Sequence, residues 1–77
     1  MMSFISKAAL LRLREIYKPR TRVELVKMDD FQAPPPGTRG TVRGVDDAGD
    51  LLIEWSTGSA LKLLIGVDDF RVVSADD

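Results

Sequence analysis

The spacing of chain breakers constrains this sequence more than any other feature. From residue 21 onward, glycines, prolines and short Asp- or Ser-rich runs cut the chain into five short strand-like segments, at residues 22–28, 38–45, 51–55, 59–64 and 70–73. The first alternates, with Val23 and Leu25 on one face. The second carries Gly40 and Gly44, where a strand bulges, bends or accepts close approach of another backbone. Between these two lies a loop of residues 29–37, because Pro34, Pro35 and Pro36 cannot donate ladder hydrogen bonds; Phe31 is expected to tuck inward from it. Asp46-Asp47-Ala48-Gly49-Asp50 and Ser56-Thr57-Gly58 read as tight turns that make strands two to four a meander. Close turns, one long early loop and glycine-marked bends predict a small five-stranded barrel of the Src-homology-3-like kind.

A helix is expected ahead of the barrel, over residues 6–18. Ser6 is a good N-cap, Ile5 can staple onto Leu10, and Pro19 disfavours helical geometry at Lys18. Leu10, Leu13 and Tyr17 share one stripe. A helix of about three turns is unstable alone, so the stripe must be covered. The reading preferred here is that it closes one end of its own barrel, which favours a monomer over a pair of copies. Residues 74–77 form an acidic tail, and the whole of 1–77 is one domain, 21–73 being the barrel.

Composition narrows the class further. With 44% hydrophobic and 30% charged residues the chain has the apolar material for one packed core. It holds no cysteine, so disulfides and thiolate metal sites are excluded. The opening Met1-Met2-Ser3-Phe4-Ile5-Ser6 is expected not to be a secretory signal, and no apolar run is long enough for a membrane helix, which is compatible with a cytoplasmic location. Charge is split along the chain: residues 1–28 hold seven Lys or Arg against two Glu, and residues 29–77 hold four against ten Asp or Glu. Such asymmetry can mark a surface for an anionic partner on the basic half.

Several of these segments form a combined pattern. Pro34-Pro35-Pro36-Gly37-Thr38-Arg39-Gly40-Thr41-Val42 is followed by Val45-Asp46, Trp55, Gly58-Ser59, Gly66-Val67-Asp68 and Phe70-Arg71, and preceded by Phe4-Ile5-Ser6-Lys7 and Arg20-Thr21-Arg22-Val23-Glu24-Leu25. Together they resemble the uncharacterised family called domain of unknown function 4314, over nearly the whole chain. Ser56 and Ile65 depart from that family's usual Asp or Asn and Pro at those turns. The resemblance implies a small barrel from a bacterium, phage or mobile element and implies no activity.

The chain contains no histidine as well as no cysteine, which removes the side chains that most often act as base, nucleophile or zinc ligand near neutral pH. Its carboxylates cluster in turns, and a carboxylate pair for acid–base work is not apparent, so the chain reads as non-enzymatic, with no cofactor and no metal. Asp46, Asp47 and Asp50 lack the alternation and closing Glu of a calcium loop and fit a hairpin turn. Asp68 and Asp69 are expected to cap a short helical turn before the last strand. Gly37, Gly40 and Gly44 are followed by neither Lys-Ser nor Lys-Thr, and by a strand instead of a helix, which speaks against a phosphate-binding loop.

Two binding functions remain. The preferred one is a protein-interaction module, in which a phage or mobile-element accessory protein binds a host factor through Phe31, Pro34, Pro35, Pro36, Trp55 and Asp68. The alternative is nucleic-acid binding through Arg12, Arg14, Lys18, Arg20, Arg22 and Lys27, with Tyr17 as a stacking platform unless it is core.

Overall fold

The computed structural model of the chain describes residues 5–73; the expected acidic tail at 74–77 lies outside them. Helix α1 spans Lys7–Ile16, and Ser6 caps it as its composition requires, with the Ala9 N–H donating to Ser6 Oγ at 3.1 Å. It ends two residues before the expected boundary. Tyr17 has already left helical geometry (φ −110°, ψ 68°), and this turns its ring toward Phe70 at 5.8 Å between centroids. The chain then reverses through Pro19 and Arg20, whose φ of 80° is left-handed although it is not glycine.

Four strands follow: β1 Arg22–Lys27, β2 Arg39–Val45, β3 Leu51–Trp55 and β4 Asp69–Val73. They form one antiparallel sheet in the order β3-β2-β1-β4. Alternation explains the burial. Val23 and Leu25 of β1, Val42 of β2, and Leu51, Ile53 and Trp55 of β3 face inward, and together with Val45 and Leu63 they make the core. Leu10, Leu13, Tyr17, Met28 and Phe70 pack against it, so the helix stripe covers the core of its own chain. The helix seats on the turn between β2 and β3, where Gly49 is buried beneath the methyls of Ile5 and Leu13.

The expected fifth strand is the main correction. Residues 59–64 run beside β3 but form one isolated bridge with it, Leu51 and Leu63 exchanging N–H···O bonds of 2.9 and 3.0 Å, and one further backbone bond at the turn end, where the Trp55 N–H donates to the Ser59 carbonyl at 3.1 Å. Side chains replace the ladder in between. The Trp55 indole Nε1 donates to the Leu61 carbonyl at 2.8 Å, and the Leu61 N–H donates to Ser59 Oγ at 3.2 Å. The carbonyl a strand would turn toward β3 is thereby taken by a core side chain. Among the described residues the sheet is accordingly open and four-stranded, and the mainly β architecture with one N-terminal helix stands.

Phe31 corrects a second expectation. Asp30 closes a turn by accepting from the Gln32 N–H with its side chain (2.8 Å) and from the Ala33 N–H with its carbonyl (2.9 Å). That geometry sets Phe31 at the apex, 97% exposed, while Pro34 takes the inward position.

Candidate interaction surface

The acidic turn between β2 and β3 is structural. Asp46 Oδ1 accepts from the Ala48 and Asp50 N–H groups at 3.0 and 2.9 Å, and Oδ2 accepts from Lys62 Nζ at 2.8 Å. The Lys62 hydrogen bond, with those backbone donors behind it, holds Asp46 below the ordinary carboxylate range, and Asp46 in turn raises Lys62. Gly49 closes the turn at φ 86°. Among the described residues no cluster of three or more Asp or Glu is arranged to hold a metal ion.

The outer face of the sheet is a set of cross-strand ion pairs. Glu24 of β1 lies between Arg71 of β4 (3.2 Å) and Arg39 of β2 (3.3 Å), and Arg43 pairs with Glu54 at 3.1 Å. Hydrogen bonding from Arg71, with Arg39 on the other flank, lowers the Glu24 pKa. These pairs are compensated surface charge.

The six residues proposed for protein contact divide between surface and core. Phe31, Pro35 and Pro36 are exposed, and Asp68 is half-buried. Pro34 is buried, and Trp55, at 2% exposure, is a centre of the core and does not belong to a contact surface. Asp68 does close a turn before β4, where its Oδ2 accepts from the Leu64 N–H at 2.8 Å and its own N–H donates to the Leu64 carbonyl at 2.9 Å. That turn projects Leu64, Ile65 and Val67 outward, at 37%, 40% and 72% exposure.

Between this turn and the end of β1 lies a shallow groove of about 330 Å³. Met28, Leu61, Leu64 and Val67 form its apolar lining, and Asp29, Asp30, Lys62 and Asp68 its polar one. Phe31 follows directly on Asp30. Four of the nine large apolar residues that the described chain leaves exposed, namely Phe31, Leu64, Ile65 and Val67, stand at or beside this groove, which singles it out from scattered exposure. A larger groove of about 440 Å³ runs along α1; among the described residues its walls come from the Ser6 cap and the helix as far as Ile16, with Arg12 the one charged residue.

Sequence reasoning placed Phe31 and Asp68 here and missed Met28, Leu61, Leu64 and Val67. The signal was the run Leu63-Leu64-Ile65-Gly66-Val67, whose glycine at φ 81° breaks it into a turn that presents its apolar residues to solvent.

The basic residues are not gathered into one patch. Arg14 donates to the Val45 carbonyl through Nε and Nη2 (3.2 and 3.0 Å) and pairs with Asp47 at 3.0 Å, which fastens α1 to the β2–β3 turn. Arg12 lies about 200° away around the same helix, given about 100° per residue. Lys18 and Arg20 are exposed on the link after the helix, and Arg22 and Lys27 stand at opposite ends of β1, about 17 Å apart at strand rise. Tyr17 packs on the core and on Phe70.

A family-level match covers residues 6–73, described as Domain of unknown function (DUF4314). The chain belongs to this DUF4314 family. The match runs from the Ser6 cap to the last residue of β4, so in this DUF4314 protein helix, sheet and groove all fall within the family's extent. No curated protein matches the chain.

Proposed function

We propose that this DUF4314 protein is a non-enzymatic protein-binding module whose contact surface is the groove between residues 28–31 and the 64–68 turn. The observation that carries the reading is Phe31, 97% exposed at the apex of a closed turn next to an apolar groove. An aromatic ring held in solvent adds nothing to the fold, and burying it against a partner is worth about 1.5–3 kcal/mol. Pro35 and Pro36 stiffen the return of the same loop, which lowers the entropy lost when it is engaged. In this reading the curved sheet is an Src-homology-3-like scaffold, the protein works in the cytoplasm, and its setting is a phage or mobile element whose accessory protein binds a host factor.

Nucleic-acid binding has less support. Its stacking candidate, Tyr17, packs on the core, Arg14 is committed to Val45 and Asp47, and the rest of the basic set is spread over separate elements.

The test compares wild type with Phe31→Ala as bait in a native host lysate, with nuclease and high-salt arms, followed by titration of the purified captured protein. The reading expects a stoichiometric protein partner that survives both treatments and binds Phe31→Ala at least tenfold more weakly. Partners that vanish on nuclease treatment, or a partner indifferent to Phe31→Ala, refute it.

A further inference from the structure

We propose that the groove takes a short peptide segment of a partner protein in which an apolar anchor is flanked by Lys or Arg. This rests on the protein-binding reading and adds the chemistry of what is bound. The floor is apolar and continuous with the interior, since Met28, one of its walls, also packs against the core. An apolar side chain entering it displaces water from Leu61, Leu64 and Val67 without breaking a hydrogen bond.

The rim decides the charge of the flanks. Of the four charged residues that line the groove, three are Asp29, Asp30 and Asp68. The fourth, Lys62, places its ammonium on Asp46 at 2.8 Å and is spent there. Just outside, Asp69 stands opposite Lys27 in the β1–β4 register, so that further pair brings no net charge. No ion pair to Asp29, Asp30 or Asp68 occurs among the described residues. Asp30 and Asp68 each give one oxygen to a backbone N–H and keep the other outward-facing lone pairs for an incoming donor.

Three uncompensated carboxylates around an apolar floor repel nucleic acid, acidic peptides and anionic lipid surfaces. They attract guanidinium and ammonium groups, with Arg able to bridge a carboxylate by two parallel hydrogen bonds. At a Debye length of about 8 Å in physiological salt, charges one or two residues from an anchored side chain still feel this rim. The apolar groove supplies affinity, and the acid rim supplies direction and selectivity.

The experiment selects a phage-displayed library of random dodecapeptides on the full-length protein, with counter-selection on Val67→Asp. Val67 is 72% exposed, so this change leaves the core intact. Synthetic versions of the enriched peptides are then titrated against wild type, Phe31→Ala and Asp29→Asn/Asp30→Asn, in which the amide oxygen introduced at position 30 retains the acceptor that closes the turn. Enriched peptides with an apolar anchor and two or more flanking Lys or Arg are expected. Their binding should weaken about tenfold in Asp29→Asn/Asp30→Asn and fall with added salt.

Enriched apolar peptides without basic flanks, bound equally by the double amide variant, overturn the inference and leave the protein-binding reading standing. Failure to enrich any peptide above the Val67→Asp background overturns it also, and the lysate titration then decides the broader reading separately. A wild-type dimer in sedimentation equilibrium that Val67→Asp dissociates would put a second copy in the groove and overturn it as well.

Discussion

Two glycines in one strand should respond to the same substitution with opposite signs. A methyl added at Gly40 would stand 2.6 Å from Ile53 Cγ2 and 2.8 Å from Trp55 Cε3, side chains that are 3% and 2% exposed and have nowhere to move. A methyl at Gly44 meets nothing within 4 Å, although beyond the register shift Gly44 still pairs with Leu52 of β3. Neither glycine is left-handed, so backbone strain does not enter. Overpacking costs about 1–3 kcal/mol, and loss of glycine's unfolded-state freedom returns about 0.4–1 kcal/mol. Gly40→Ala should therefore lose roughly 1–2 kcal/mol, whereas Gly44→Ala should gain about 0.4–1 kcal/mol. Urea unfolding followed by the fluorescence of Trp55, the sole tryptophan, reads both. With a slope near 1 kcal/mol per molar for a domain of this size, the two midpoints should lie about 1.5–3 M apart. Ile53→Ala removes one of the two clashing carbons, so Gly40→Ala/Ile53→Ala should be more stable than the sum of its single changes. A Gly40→Ala midpoint equal to or above that of Gly44→Ala would refute the claim that Gly40 exists for close approach of β2 to β3.

Leu13→Asp puts a carboxylate on the core beside Gly49 and should cost about 2 kcal/mol or more, seen as a drop of roughly 8 °C or more in Tm; an unchanged Tm would mean that the stripe is not core. Trp55→Phe leaves the Leu61 carbonyl without its indole donor and should cost about 1–2 kcal/mol, with earlier hydrogen exchange in residues 59–63 than in β2 as the local signature. The native pKa values of Asp46 and Glu24 are depressed, so their contribution is complete above their ordinary values of 3.8 and 4.5 and is lost as pH falls through the native values. Lys62, raised, acts in the opposite sense, its contribution complete below 10.5 and lost as pH rises through its native value. Asp46→Asn should flatten the acid limb of a Tm-against-pH curve, and a limb identical to wild type would contradict the pairing. Phe31→Ala should leave Tm within about 2–4 °C of wild type, since surface changes stay within about ±0.5 kcal/mol, and a larger fall would mean that the ring supports the fold.

What could be read from the sequence divides by the range of the force responsible. Alternation in Val23 and Leu25, the Ser6 cap and the Asp46–Asp50 turn are local, and each took its expected form because neighbours within four residues decide it. The segment after Trp55 was misread because its fate depends on a contact across space. Ser59 to Leu64 has the composition of a strand, but one indole N–H takes the carbonyl of Leu61 and the ladder is interrupted between its backbone bonds at Ser59 and Leu63. Phe31 was misread for a related reason: hydrophobicity argued for burial, and three residues of turn geometry decided otherwise. Gly40 and Gly44 were equally ambiguous in sequence, and only the presence or absence of a facing side chain tells them apart.

The candidate surface was less legible than the fold, and the physical reason is that its parts have no common period. Met28 ends one strand, Asp30 and Phe31 belong to a turn, and Leu64, Val67 and Asp68 belong to another turn more than thirty positions on. The pairing of β4 with β1 brings the second turn beside the first, with Asp69 opposite Lys27. None of the exposed apolar residues gathered there belongs to the buried cluster, which is closed by Val23, Leu25, Val42, Val45, Leu51, Ile53, Trp55 and Leu63 without them. The fold therefore gains little from Phe31 and Val67 being apolar, at 97% and 72% exposure, and polar residues in their place would make the isolated protein more soluble. In the proposed reading the apolar area that Phe31 and Val67 leave in solvent becomes stabilising when a partner covers it, and the three carboxylates lining the same groove limit the chemistry of that partner.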